Sequence, residues 1–296
     1  EMEIDRHMAL VFDLFLTPPA EFDPAKEGGT DKSGFRNMQR MTEAQRAAWD
    51  AAYAPENAAF YADPPTGKEL VRWKYQRYLK NYLRTSRAVD DSVGKLMAYL
   101  DEAGLSDNTV VFYSSDQGFY LGDHGWYDKR WMYEESLAMP LVIKWPGVTQ
   151  PGSVNDELVQ NLDYAPTFLS LAGVEVPEDM QGQSLGPLLR GEQPEGWRDA
   201  IYYHYYGYPA VHQVARHYGI RTERYKLIRY YQFGEWEMFD LHEDPDELRN
   251  LYADPAYRDV AIELAERLGA LRAHYGDTTG GELMPQEWQD ARRGKK

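Results

Sequence analysis

The sequence predicts an α/β fold: part of a mainly parallel sheet flanked by helices, followed by a small C-terminal antiparallel sheet with a helix. Three observations carry this. Residues 69–103 place Leu70, Trp73, Leu79, Leu83, Val93, Met97 and Leu100 on a broad apolar helical face closed by Gly104. Two near-continuous apolar runs follow, residues 109–113 and 140–145, of the kind that parallel strands covered on both faces display. From Asp199 the pattern changes to short aromatic, β-favouring runs separated by turns.

In chain order, Ile4, Met8, Val11, Phe12 and Phe15 predict an opening helix that stops before Pro18 and Pro19. Pro, Gly and charge then dominate. With a polar and aromatic stretch at 41–61, read as short helices, and Pro64-Pro65, they mark an inserted segment over about 18–68. After the long helix and the two apolar strands, residues 168–172 read as a helix ended by Gly173. Strands are expected at 201–206, 218–221, 225–231 and 235–239, with a helix over 260–274 packed on them and a tail beyond Tyr275. This organisation divides the chain into residues 1–198, an α/β part with the inserted segment, and residues 199–296, a smaller subdomain.

Composition excludes several classes. The 296 residues carry 32 Lys and Arg against 48 Asp and Glu, a formal net charge of -16, which argues against a nucleic-acid partner. An anionic substrate would need a pocket whose local charge reverses that field. No cysteine is present, so disulfides, thiolate metal sites and cysteine nucleophiles within these residues are excluded. No apolar run approaches the roughly 20 residues of a membrane span. Residues 1–7 are charged and read as the middle of a helix, not as a signal peptide.

The chemistry concentrates after the first apolar strand. Asp116 and Gln117 sit at its carboxyl end, where loops of open α/β sheets gather ligands. A carboxylate and an amide carbonyl are oxygen ligands suited to Ca²⁺ or Mg²⁺. Two adjacent ligands do not make a complete site. His124 and Lys129, a few residues on, can supply hydrogen bonds and positive charge to an anionic ester. On spacing alone, Asp-Gln-Gly also reads as a plain turn, and Lys129 as a solvated charge.

The run Tyr113-Ser114-Ser115-Asp116-Gln117-Gly118-Phe119-Tyr120-Leu121-Gly122-Asp123-His124-Gly125-Trp126, continued by Asp128-Lys129-Arg130-Trp131-Met132-Tyr133-Glu134-Glu135-Ser136, resembles the second signature region of the sulfatases, in the alkaline phosphatase superfamily. Further resemblances follow in family order: residues 140–147, Asn161-Leu162-Asp163-Tyr164-Ala165-Pro166-Thr167, and Gly182-Gln183-Ser184-Leu185. Residues 211–228 resemble carbohydrate sulfatases acting on N-acetylglucosamine 6-sulfate in glycosaminoglycans or mucins, with His212, Arg216 and His217 placed to reach the sugar.

The resemblance implies a sulfuric ester hydrolase with Asp116 and Gln117 as two of four protein ligands to calcium, or to Mg²⁺. It implies that Lys129 contacts the sulfate and that His124 binds sulfate or assists the leaving hydroxyl. It implies a formylglycine nucleophile, made from Cys or Ser in a Cys/Ser-x-Pro-x-Arg motif. No such motif occurs here, so the chain reads as the C-terminal portion of a sulfatase, inactive alone, with the N-terminal half of the domain as its partner and a sulfated carbohydrate as substrate. Family resemblance suggests a periplasmic, secreted or lysosomal setting. Two other readings of the same residues are a non-catalytic sulfated-glycan-binding pseudoenzyme and a phosphodiesterase or phosphonate hydrolase of the same superfamily.

Overall fold

The computed structural model describes residues 14, 16, 40–208 and 213–280. The predicted helix at 4–15 (Leu14 apart), the segment at 18–39, His212 and the end of the tail lie outside the described residues. Contacts divide the chain into two units, Glu1–Ser106 with Tyr120–Tyr127, and Asp107–Phe119 with Asp128–Lys296. The boundary expected near residue 198 therefore falls inside the second unit.

In the first unit, residues 41–61 form one helix and not several short ones: α1 spans Glu43–Ala62. Its start is a capping box. Thr42 accepts from the Gln45 amide at 3.3 Å, and the Gln45 side chain accepts from the Thr42 amide at 2.9 Å. Pro55 lies inside the helix, where the absent N–H costs one backbone bond that packing on both sides of it offsets. α2 spans Gly67–Glu102, as the apolar periodicity predicts. The two helices are joined by Phe60 against Trp73, ring centroids 4.4 Å apart, and by Arg77, buried over the Tyr53 ring and paired with Glu56 at 3.0 Å. From its middle onward α2 is different: Tyr82, Leu83, Val89, Leu96 and Tyr99 are exposed.

In the second unit, β1 (Val111–Ser114) and β2 (Leu141–Lys144) form a two-stranded sheet. Within it the pairing is antiparallel, with Val111 opposite Lys144 and Ser114 opposite Leu141. The apolar runs suggested parallel strands, but a parallel return needs a crossover of a dozen or more residues that brings the chain back to the starting end. Here residues 115–140 are long enough for such a crossover but carry only a 3₁₀ turn (Asp123–Gly125) and the short helix α3 (Glu134–Leu137), and they do not run back along β1: β2 enters beside the end where β1 leaves. Val142 remains 64% exposed, so one face of this pair is uncovered among the described residues.

Two resembling motifs meet at buried anchors. α4 (Tyr164–Leu171) begins beside Asp163, which is fully buried and accepts from the amides of Gln160 and Gln183 and from the Arg198 guanidinium. Thr167 accepts from the Leu185 amide at 2.8 Å, just before α5 (Gly186–Leu189). The C-terminal portion is as predicted. β3 (Ala200–Tyr205), β4 (His217–Thr222), β5 (Tyr225–Tyr230) and β6 (Glu235–Asp240) form an antiparallel meander in that order. α6 (Arg258–His274) lays Ala261, Leu264, Ala265 and Leu268 on Tyr218, Ile220, Leu227 and Met238, all essentially without solvent exposure.

Candidate active site

β1 ends at Ser114, and the chain turns through Ser115, whose hydroxyl donates to the Gln117 carbonyl at 2.7 Å. This turn points Asp116 and Gln117 into a cavity of about 490 Å³ in the second unit, where Lys129 joins them. The same cavity is lined by Glu134, Ser136, Tyr164, Tyr203 and Arg221. Sequence reasoning brought the first three together. It missed the other five, although Glu134 and Ser136 stand inside the signature run, and Arg221 is a cation within an apolar strand.

Ser136 explains how the acid–amide pair and the lysine share one frame. Its hydroxyl donates to the Lys129 carbonyl at 2.6 Å, and its carbonyl accepts from the Gly118 amide at 2.9 Å. Gly118 is required by this approach, because a Cβ there would collide with the Glu135 and Ala138 carbonyl oxygens. α3 is in turn fixed to the C-terminal sheet. Lys226, fully buried, lies 2.8 Å from Glu134 and 2.7 Å from Glu247, and Arg221 pairs with Glu134 at 3.1 Å. Burial pushes the Glu134 carboxyl up, but Lys226 and Arg221 outweigh it and hold it below its ordinary range. For Glu247 burial prevails, and its pKa is raised. Tyr203 donates to the Arg130 carbonyl at 2.9 Å, and burial pushes its phenol up to about 12, so it stays a donor at neutral pH.

His124 belongs to the first unit. Its backbone is left-handed, with φ of 52°, between Gly122 and Gly125, an uncommon conformation for a side-chain-bearing residue and one often found at functional sites. Its ring sits by Trp126 and Tyr120, with centroids 5.9 and 6.1 Å away.

The sugar-facing candidates separate. Arg216 is exposed, and its guanidinium donates to the carbonyls of Tyr206 and Tyr208. His217, expected to reach the sugar, is instead fully buried on β4 among Trp131, Tyr203, Tyr205 and Tyr230, so any part it has in binding is indirect. Burial lowers its pKa to about 4, against the proton-retaining effect of its Nδ1–H donated to the Ala215 carbonyl at 2.7 Å. The unfolded chain takes up this proton near pH 6.5 and the folded chain only near 4. Its contribution is therefore full above about pH 6.5 and lost as pH falls through that window, to the extent of about 3 kcal/mol. Melting temperatures across the window should fall with pH in the native chain and run flatter in His217→Gln.

Oxygen donors at Asp116 and Gln117 have the chemistry of a hard-cation site. Among the described residues, no group of three or more His, Cys, Asp or Glu could hold a metal ion, and Asp116 and Gln117 would supply only part of a ligand set.

Comparison with known proteins defines the class. The family model described as N-sulphoglucosamine sulphohydrolase, C-terminal, matches residues 122–274, and the model described as Sulfatase matches residues 31–174. The chain belongs to the sulfatase family, within the alkaline phosphatase superfamily. Among individual relatives, it is 47% identical over 247 residues to the N-acetylglucosamine-6-O-sulfatase of Bacteroides thetaiotaomicron, covering 82% of this chain and 44% of that protein. It is 33% identical over 201 residues to human N-acetylglucosamine-6-sulfatase, covering 60% and 36%. The structure superimposes with a TM-score of 0.86 and 43% identity on that of BT4656 in complex with its substrate D-glucosamine-2-N,6-O-disulfate, covering 94% of this chain and 56% of that one. The alkaline-phosphatase-like fold is thereby established, and the chain spans less than half the length of these two curated relatives.

Proposed function

We propose that the protein hydrolyses sulfate esters, removing 6-O-sulfate from N-acetylglucosamine in glycosaminoglycan or mucin-type glycans. The observation that carries this is the meeting of Asp116, Gln117 and Lys129 in one cavity at the carboxyl end of β1. Asp116 and Gln117 would hold the metal ion, Ca²⁺ by preference for its all-oxygen donors, and the bound ion supplies positive charge against the sulfate oxygens. Lys129 binds the sulfate and offsets charge that builds on the leaving side. Ser136 keeps its backbone in register with the Asp116 loop. His124, in its constrained backbone, binds sulfate or donates a proton to the departing sugar hydroxyl. His212 and Arg216 orient the sugar.

The nucleophile, the formylglycine of this family, and the remaining metal ligands come from a segment N-terminal to these residues. The exposed apolar side chains from the middle of α2 onward and the open face of the two-stranded sheet support such a partner, since a two-stranded sheet is marginal by itself. Among the described residues no helix is long and apolar enough to cross a membrane. A periplasmic, secreted or lysosomal compartment is the setting we assign from the family.

The test is hydrolysis of N-acetylglucosamine 6-sulfate with Ca²⁺ by this chain alone and by the protein that includes the upstream half. Turnover is expected only from the latter. Robust turnover by the isolated chain would overturn the division of labour, and sulfated-sugar binding without hydrolysis by the longer protein would overturn the enzymatic reading.

A further inference from the structure

Beyond β3 the chain carries an aromatic surface that the proposed chemistry does not use. Tyr206 is 55% exposed and Phe233, in the turn between β5 and β6, is 57% exposed. Tyr208, two residues after Tyr206, meets Phe233 edge-on with centroids 6.5 Å apart. Exposed rings are ordinarily mobile, but Tyr206 is held at both ends. Its ring stacks on His204 at 3.7 Å, and its hydroxyl donates to Asp277 at 3.0 Å. Asp277 also accepts from Tyr202 and His204, each at 2.5 Å, and from the Thr279 amide at 2.8 Å, so the carboxylate is satisfied by four donors and fixes the tyrosine. Arg216 grips the Tyr206 and Tyr208 carbonyls at 3.1 and 2.9 Å, which sets the backbone of the patch and leaves a cation on its surface.

A rigid, solvent-facing ring costs little entropy on binding and marks a recognition surface more strongly than a scattered apolar residue does. We propose that Tyr206, Tyr208, Phe233 and Arg216 form a glycan platform that binds a pyranose unit neighbouring the sulfated sugar. The C–H face of a pyranose lies on an aromatic ring, while its hydroxyls and any uronate carboxylate find donors at the ring edge. Arg216 supplies a charged donor there, in a protein whose overall field would otherwise repel an acidic glycan. The spacing suits an extended substrate. Ile201, Tyr202 and Tyr203 line the cavity along β3, the edge strand of its sheet. The Tyr203 ring stacks on His217 and the Tyr206 ring on His204, on opposite faces of β3, so a glycan reaching both follows about 10 Å of extended chain and wraps that edge. The platform thus favours an oligosaccharide over a monosaccharide. Its choice of ligand rests on the proposed sulfated-glycan substrate, whereas its test does not require hydrolysis.

The probe is a chemically desulfated heparan tetrasaccharide, titrated into the full 296-residue chain by calorimetry or NMR, with the corresponding monosaccharide beside it. The tetrasaccharide should bind and the monosaccharide much more weakly. Tyr206→Ala combined with Phe233→Ala should weaken tetrasaccharide binding about tenfold or more, the equivalent of about 1.4 kcal/mol. Tyr206→Phe, which keeps the stacking ring, should bind within about twofold of the native chain. Both altered side chains are exposed, and unchanged melting temperatures would show that the fold is kept. Equal binding by the double variant would overturn the platform. So would absence of tetrasaccharide binding, or a loss of self-association in the double variant in place of any glycan effect. Failure of the hydrolysis assay with intact tetrasaccharide binding would instead count against the sulfatase reading alone.

Discussion

Lys129→Ala in the protein that includes the upstream half should lower kcat for sulfate-ester hydrolysis by about 10² to 10³-fold, the usual effect of removing one preorganised charge or donor from a developing anion. The reasoning starts from position. The Lys129 backbone is pinned by the Ser136 hydroxyl at 2.6 Å, and its side chain faces the cavity that holds Asp116 and Gln117. Among the described residues it has no carboxylate partner at ion-pair distance, so its charge is not already neutralised. In a chain of net charge -16, that unspent ammonium gives a sulfate group a local reason to enter. Because its interaction strengthens as charge moves onto oxygen, the loss should fall mainly on kcat, with a smaller rise in KM. Lys129→Arg restores charge without the compact ammonium and should recover only part of the rate. A Lys129→Ala enzyme within about threefold of native kcat would show that this lysine is a solvated charge and not part of the machinery.

How much of this was legible in the sequence depends on how far apart the participants lie. Asp116, Gln117, His124 and Lys129 fall within one short run after a strand, where the chemistry can be read directly. The C-terminal sheet was legible for a similar reason, since consecutive antiparallel strands pair with their sequence neighbours. What escaped was set at a distance. Glu134 meets Arg221, Lys226 and Glu247 across 87 to 113 residues, and no local pattern announces such a meeting. Strand direction between β1 and β2 escaped because apolar continuity reports burial, whereas orientation depends on the path of the connection. His217 looked available beside Arg216. Arg216 lies just before β4, whereas His217 is its first residue, and the sheet assigns it to an aromatic interior.

Lys226→Met should destabilise the protein by about 3–5 kcal/mol, the cost of leaving one partner of a buried ion pair uncompensated. In a unit of this size that corresponds to a melting temperature lower by about 10 °C. Two carboxylates converge on this ammonium, and only Glu134, which lines the cavity, can reach water. Glu247 has a side chain only 1% exposed and also accepts the Glu134 amide at 2.7 Å, so it is bound into the start of α3. Glu134 would keep Arg221 as a partner, at 3.1 Å, and Glu247 would have to take up a proton or draw in solvent. Burial already raises the Glu247 pKa, so protonation is the cheaper course, and the variant should be relatively more stable at pH 5 than at pH 8. The sign follows from proton counting: with its cation gone, the folded state binds more protons than the unfolded chain between the two Glu247 pKa values, and stability falls as pH rises through that interval. The double variant Lys226→Met with Glu247→Gln removes the stranded charge and should recover part of the loss. Its recovery measures how much of the single-variant defect is charge burial and how much is lost packing of the lysine stem. Because α3 also carries Ser136, any shift of its first residue reaches Lys129 and Gly118 together, so the single variant should lose activity at temperatures well below its melting point. A Lys226→Met protein that melts like the native one and shows no dependence on the Glu247 substitution would mean that α3 is held by its backbone contacts alone.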